Sequence, residues 1–162
     1  MSMFQFNTKL DPAICTFDDS CINLAKPDIN LFNDTAKQVA LEMTNPELLE
    51  WNRRNQMWEV KRKKSANKIT QLRKFYDEIC MWEAKNRNID TFKENLPFIK
   101  MLNAKVAYAR SREYVDDKFM AMIDSCLSQI SDTDEENLKK FKNFRTFFEA
   151  FYGFYRAERP KD

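Results

Sequence analysis

The chain has one glycine, Gly153, among its 162 residues, and this scarcity limits its fold more than any other feature. Tight hairpin turns depend on positive φ angles that glycine adopts without strain, so hairpins have little material here. Because 43% of the residues are hydrophobic, the chain can bury a substantial core. The sequence therefore predicts one all-α domain.

Catalysis by the common side-chain chemistries is not expected. One glycine cannot supply the phosphate-binding loops of nucleotide hydrolases, and the absence of histidine removes the commonest general base and zinc ligand. Adjacent Asp116 and Asp117 would point about 100° apart on a helix, which is poor geometry for a shared acid–base site. The cysteines are scattered without a close pair: Cys15, Cys21, Cys80 and Cys126. We predict no enzymatic activity, no cofactor and no metal.

The amino-terminal segment MSMFQFNTKLD lacks the basic region and the apolar run of a signal peptide. No segment approaches the ~18 uninterrupted apolar residues of a membrane helix. We expect a cytoplasmic protein that does not contact a membrane.

Positive charge is concentrated in the middle of the sequence. Residues 46–75 contain nine basic and three acidic residues, whereas residues 1–45 contain three basic and six acidic ones. Such a run is suited to nucleic-acid phosphates, and it is equally typical of a solvated helix face. Its densest part comprises Arg53, Arg54, Lys61, Arg62, Lys63 and Lys64.

Composition divides the chain into three parts. Residues 1–30 contain two prolines and no sustained period, which predicts an irregular, acidic arm. Residues 31–65 are expected to form a helical extension carrying the basic run, with a short helix over about 31–43. A second helix over 46–64 is predicted because Asn45-Pro46 is a typical helix start. Residues 66–162 are expected to form the helical bundle.

Helical periodicity is regular after residue 68. Apolar residues recur at i, i+3 and i+4 over 69–82, and Arg73–Asp77 and Lys74–Glu78 are expected to form i, i+4 ion pairs on the outer face. The apolar face turns by roughly 90° between residues 109 and 119, which predicts a break near Ser111–Tyr114. Thr133 with Glu136 is predicted to cap a last helix over about 134–157.

The last helix contains eight aromatic residues, which cover a wider arc than a single helix contact requires. We interpret it as the central core helix or as an edge that meets another subunit. Phe147 and Phe154 are the candidates for contact between copies.

The stretch LPFIKMLNAKVAYARSRE, residues 96–113, carries two faces on one predicted helix. Phe98, Ile99, Leu102, Val106 and Ala109 form an apolar face. Beside it runs a cationic and aromatic stripe of Met101, Lys105, Tyr108 and Arg112. Neither cation of the stripe has an acidic residue at i±4, apart from Asp116 near Arg112, so the stripe is a candidate for contact with RNA phosphates. The alternative is a pair of cations extending from the edge of a buried face.

Three motifs, QLRKFYDEI (71–79), LPFIKMLNAKVAYARSR (96–112) and FFEAFYGFYRAERPKD (147–162), together resemble the small subunit of type III-A CRISPR effector complexes. The resemblance covers about residues 66–159. It implies a non-catalytic compact bundle of about five helices that stacks in several copies beside a filament of backbone subunits. The implied partners are guide RNA, target RNA, the backbone and large subunits, and copies of itself. Ser111 stands where the family has glycine, so a less sharp bend after Ala109 is expected.

Arg73, Lys105, Tyr108 and Arg112 fall on motifs of that family, whereas Arg110 is at a variable position. Lys68, Lys100 and the basic run Lys61, Arg62, Lys63 and Lys64 complete the predicted RNA-binding set. Two other interpretations remain open: a helical protein-binding adaptor without RNA, and the small subunit of the related type III-B complexes.

Overall fold

A computed structural model describes residues 21–44, 47–62 and 67–159, with the backbone alone at 47–50 and 58–62. In chain order the elements are a π-helical turn (Leu31–Thr35), α1 (Ala36–Thr44), β1 (Glu47–Asn52), β2 (Met57–Arg62), α2 (Ile69–Lys85), α3 (Ile89–Lys100), α4 (Leu102–Ser111), α5 (Asp117–Ser128) and α6 (Glu135–Glu158). The predicted all-α class is confirmed, because helices supply the core and the described strands form a single two-stranded hairpin.

The aromatic helix α6 is the central element of the core. It packs against α1, α2 and α3, and its buried aromatic residues are Phe141, Phe144, Phe147, Phe148, Phe151 and Tyr155. The Phe148 ring lies 6.1 Å from that of Phe119 on α5 and 5.7 Å from that of Phe151. Burial of these rings stabilises the fold by about 1.5 to 3 kcal/mol for each side chain.

The prediction that Phe147 lies on an exposed edge is wrong. Its side chain is fully buried, because α1, α2 and α3 pack around α6 and cover most of its wide aromatic arc. Phe154 is partly buried and packs against the same core. Of the two residues predicted to contact another copy, only Phe154 therefore retains an accessible surface.

The described part of the amino-terminal arm, residues 21–30, is irregular as predicted, but it is not loosely attached. Ile22 and Leu24 are buried in the core. The Gln129 side chain accepts a hydrogen bond from the Leu24 amide at 2.8 Å and donates one to the Ile22 carbonyl at 2.7 Å. Asn143 of α6 donates to the Leu24 carbonyl at 2.9 Å. Residues 1–20 lie outside the described part of the chain.

The prediction of a helix over residues 46–64 is wrong, since β1 and β2 form an antiparallel hairpin there. The register pairs Leu49 with Val60 and Trp51 with Trp58. These positions alternate along each strand and share one face of the hairpin, so the apolar period in this segment is two. As a helix the same residues would be divided between opposite sides. The short helix predicted before it is confirmed by the π-helical turn and α1.

The hairpin turn forms without glycine, contrary to the expectation from composition. The Asn52 side chain accepts hydrogen bonds from the amides of Arg54, at 2.9 Å, and Asn55, at 3.3 Å. Gln56 adopts the left-handed conformation with φ of 49°. An asparagine side chain and one left-handed residue thus replace the usual glycine.

Aspartate side chains begin the last two helices. Asp116 accepts from the Phe119 amide and Asp134 from the Asn137 amide, both at 2.8 Å. The predicted last helix is confirmed, but its cap is Asp134 rather than Thr133. The predicted break between residues 111 and 114 is also confirmed, because α4 ends at Ser111 and α5 begins at Asp117. No helix in the described ranges has the length and apolar character needed to cross a membrane.

Candidate nucleic-acid interface

Side chains from α2 and α4 line a shallow groove on the surface of the bundle. The groove consists of two adjoining depressions of about 410 and 440 Å³, which share Gln71, Lys74 and Tyr108. The first is completed by Ala109, Arg112 and Tyr114, and the second by Phe75, Glu78, Met101, Ala104 and Lys105. We call this surface the α2–α4 groove.

The two faces predicted for residues 96–113 are present, but the stretch is divided between α3 and α4 at Met101 and does not form the one helix that was predicted. Leu102, Val106 and Ala109 are buried in the core, which fixes the orientation of α4. On its other side the stripe predicted from sequence, Met101, Lys105, Tyr108 and Arg112, faces the groove. The exception is Phe98, which was expected in the core.

Phe98 is 53% exposed. Its ring stacks on that of Trp82 with 6.3 Å between centroids. Next to Phe98, between α3 and α4, the helix forms a tighter turn, because the Met101 amide donates to the Phe98 carbonyl three residues earlier. Phe98 is therefore a surface aromatic residue that covers part of α2.

Lys105 has an acidic partner, contrary to the prediction. Its ammonium pairs with the carboxylate of Glu78 on α2, and the lysine side chain remains 49% exposed. Glu78 also accepts a hydrogen bond from the indole of Trp82 at 3.4 Å. Glu78 is not within four residues of Lys105 in the sequence, because the ion pair joins two different helices. Lys74, predicted to pair with Glu78, makes no ion pair within the described residues.

Arg112 is held between two tyrosine rings. Its Nη1 donates to the Tyr108 hydroxyl at 3.0 Å, and its guanidinium carbon lies 5.8 Å from the Tyr108 ring centroid and 5.3 Å from that of Tyr114. The hydrogen bonds to Tyr108 and Tyr114 raise the pKa of the Arg112 guanidinium above its usual value. Asp116, the competitor expected for Arg112, instead caps α5. The positive charge of Arg112 therefore has neutral aromatic neighbours.

The turn after α4 brings Tyr114 to the groove. Glu113 is left-handed, with φ of 59°, and its amide bonds to the Arg110 carbonyl while the Tyr114 amide bonds to that of Ala109, both at 2.9 Å. This is the Schellman pattern that commonly ends a helix. Ser111 is the last helical residue, and its hydroxyl donates to the Tyr108 carbonyl at 2.6 Å. The bend therefore depends on Glu113, whereas Ser111, from which a less sharp bend was expected, is an ordinary helical residue.

The other predicted cations are distributed over several surfaces. Lys68 lies at the edge of the groove, with its ammonium 4.3 Å from the Tyr114 ring centroid. Arg73 pairs with Asp77 at 3.0 Å, as expected, on the outer face of α2.

Arg110 and Lys100 both bind to groups on α5. Arg110 pairs with Asp117 and thereby connects the end of α4 to the start of α5. The Lys100 ammonium donates to the Leu127 carbonyl, and burial lowers its pKa. Neither residue lines the groove.

The basic run, residues 61–64, has no described side chains. Lys61 and Arg62 are on β2, where only the backbone is described, and Lys63 and Lys64 lie outside the described residues. Their contact with RNA stays a prediction.

The sequence analysis missed the α2 side of the groove, which includes Gln71 and Lys74, and it also missed Tyr114. Gln71, Lys74 and Glu78 recur at i, i+3 and i+7 on α2, a spacing that places them on one helix face. This spacing can be read from the sequence, but it does not indicate which element lies beside that face of α2. Tyr114 had no local signal, because the turn at Glu113 determines its position.

The described residues contain no group of three or more Cys, Asp or Glu side chains that could hold a metal ion. Apart from the Glu78 carboxylate, which pairs with Lys105, the polar groups of the groove are ammonium and guanidinium groups, phenol rings and one amide. These groups bind anions and planar rings.

Comparison with known protein families identifies the chain. The family model Csm2 Type III-A matches residues 52–161, which include all of the α2–α4 groove. The chain belongs to this family. Csm2 Type III-A proteins are small structural subunits of type III-A CRISPR effector complexes, so the chain assembles with other effector subunits.

The match to Csm2 Type III-A confirms the resemblance inferred from the three motifs and favours the type III-A over the type III-B interpretation. It begins at the end of β1, so α1 and the arm precede the matched region. No curated protein and no solved structure gives a significant match.

Proposed function

We propose that this subunit binds the guide and target RNA of its effector complex through phosphate contacts made in the α2–α4 groove, and that several copies stack beside the backbone filament. One observation supports the RNA part most strongly. Lys74, Lys105 and Arg112, three exposed cations from two helices, line a single groove within the region that matches the family.

The chemistry of the groove suits a phosphate backbone rather than a base sequence. Cationic side chains gain affinity by releasing counterions from the nucleic acid, irrespective of its sequence. Base pairing between guide and target then selects the target, while the protein holds the paired strands by charge and shape. The buried face of α4 supports this role, because Leu102, Val106 and Ala109 keep Lys105 and Arg112 at fixed positions.

Stacking of copies rests on the family membership and on the remaining aromatic surface. Phe154 is the predicted contact residue that is still accessible, and it lies in the last turns of α6. In the proposed assembly each copy presents its groove to the same RNA, so binding by the complex exceeds that of the isolated chain.

The double variant Lys105→Ala/Arg112→Ala tests the RNA contact. RNA affinity of the purified chain, measured by fluorescence anisotropy over a salt titration, is expected to fall, and the log–log salt slope is expected to decrease by roughly one to two units. Lys139→Ala/Lys142→Ala is the matched control, since it removes two exposed α6 cations that do not line the groove.

Two results would contradict the proposal. Unchanged RNA binding in the groove variant, with a helical circular-dichroism spectrum, would exclude the groove as the contact surface. An effector complex that purifies from its host without RNA bound to it would favour the protein-binding adaptor instead.

A further inference from the structure

We infer that the part of the α2–α4 groove beside Tyr108 also binds one unpaired RNA base, which stacks on the Tyr108 ring while Lys74 and Arg112 contact its phosphates. The inference rests on the proposed function and adds a second kind of ligand contact to the same site. It distinguishes an unpaired nucleotide from a continuous duplex.

The first observation is the exposure of Tyr108. Its side chain is 63% exposed, which makes it the most accessible aromatic side chain among those described. A tyrosine ring left in water on a rigid helix is an available stacking surface, since every base has a face that can stack on it. The buried residues beside it, Val106 and Ala109, fix the helix that carries the ring.

The second observation is that the ring is already oriented. The Tyr108 hydroxyl accepts a hydrogen bond from Arg112 at 3.0 Å, and the guanidinium lies against both the Tyr108 and Tyr114 rings. The Schellman turn at Glu113 fixes Tyr114 in turn. A ligand therefore meets an ordered aromatic surface, so less conformational entropy is lost on binding.

The third observation is the space beside the ring. The depression next to Tyr108 has a volume of about 410 Å³, within the range of small-ligand sites, and the small side chain of Ala109 is part of its lining. Gln71 and Lys74 line it from α2. The Gln71 amide carries both a donor and an acceptor, so it can bond to the edges of different bases, and Lys74 supplies charge for a phosphate.

A continuous duplex would leave these features unused. In a paired A-form helix the base faces are stacked on one another, so only the phosphates, the 2′-hydroxyls and the groove edges are accessible. An exposed ring beside a depression is useful only for a base that has left the stack. The aromatic part of the groove therefore favours an unpaired nucleotide, and the cationic part serves paired and unpaired RNA alike.

Abasic RNA provides the test, because it keeps the phosphates and lacks selected bases. Binding of the full-length chain to a single-stranded RNA is compared with binding to the same strand carrying abasic residues at alternate positions. We expect the wild-type chain to bind the abasic strand about tenfold more weakly. Tyr108→Ala is expected to bind the intact strand about tenfold more weakly than the wild type does and to bind both strands alike.

Two further variants serve as controls. Tyr108→Phe keeps the ring and is expected to retain the preference for the intact strand. Phe98→Ala removes an exposed aromatic ring that does not line the groove and is expected to leave the preference unchanged. A 2-aminopurine base in the RNA reports stacking directly, and its fluorescence is expected to be quenched by the wild type and not by Tyr108→Ala.

The outcomes separate this inference from the proposed function. Equal wild-type binding to intact and abasic RNA, with the salt slope still dependent on Lys105 and Arg112, would overturn the stacking site and leave the phosphate contacts intact. Absence of RNA binding to either strand would overturn both.

Discussion

The ammonium of Lys105 on α4 pairs with the carboxylate of Glu78 on α2, although 27 residues separate them in the sequence. The pair lies in the groove proposed to bind RNA, so a phosphate approaching Lys105 must compete with Glu78. Only 18% of the Glu78 side chain is exposed, and its second hydrogen bond, from Trp82, keeps it in place. We therefore expect the carboxylate to limit the affinity of this groove for RNA.

Removing the negative charge of Glu78 is expected to strengthen RNA binding. Glu78→Gln frees Lys105 and retains an oxygen acceptor for Trp82, and an ion pair at the protein surface is worth up to about 1 kcal/mol. We expect the affinity to rise by up to about fivefold in a low-salt anisotropy titration. The effect should diminish as salt is added.

Asp77→Asn is the control for this prediction. It also removes one carboxylate from α2 and frees one cation, Arg73, but neither residue lines the groove. An equal gain in both variants would show that overall charge, rather than competition in the groove, determines the affinity.

Substitution by glycine at positions 111 and 113 is expected to have opposite effects on stability. Glu113 is left-handed, so Glu113→Gly relieves backbone strain and should raise the free energy of unfolding by about 0.5 to 1 kcal/mol. Ser111 is helical, so Ser111→Gly should lower it by a similar amount. Urea unfolding measures both, and stabilisation by Ser111→Gly would contradict a turn that depends on the left-handed Glu113.

The partly buried cap Asp116 is expected to make stability depend on pH. Burial raises its pKa, although hydrogen bonds from the Phe119 amide and Asn67 oppose this. A carboxyl whose folded-state pKa is raised contributes stability below its unfolded-state pKa and loses it as pH rises through the folded-state value. At neutral pH the ionised Asp116 therefore carries a desolvation cost.

Comparing Asp116→Asn with Asp116→Ala isolates that cost. Asparagine keeps the cap without ionising, so this variant should be at least as stable as the wild type at neutral pH, and its advantage should shrink as the pH falls. Asp116→Ala loses the cap and should be less stable than Asp116→Asn by about 1 kcal/mol. Urea titrations at several pH values give both quantities, and an advantage of Asp116→Asn that grows as the pH falls would contradict a raised pKa.

Phe147→Ala is expected to destabilise the fold by about 3 to 5 kcal/mol, because it leaves a cavity beside α6. The control Phe98→Ala removes a ring that is 53% exposed and should cost no more than about 1 kcal/mol. Thermal unfolding compares the two. Normal stability of Phe147→Ala, with altered association of copies, would instead support the contact role predicted from sequence.

The sequence by itself determined the helical class and much of α2 to α6. Apolar residues at intervals of three and four define a helix from neighbouring positions alone, so the face of α4 carrying Lys105, Tyr108 and Arg112 and the break after Ser111 were predictable. The family resemblance depended on the same local motifs. The prediction for residues 46–64 was wrong because Asn45-Pro46 indicated a helix, whereas Trp51 and Trp58 pair across two strands.

Only the tertiary structure decided which faces meet and which charges find partners. Glu78 reaches Lys105, Tyr114 reaches Arg112 and Phe147 enters the core because helices and turns distant in sequence are packed together. Local periodicity shows that a face is polar or apolar, but it carries no information on the element opposite that face. The groove is therefore a property of the packed bundle, and its cationic and aromatic stripe is a property of the sequence.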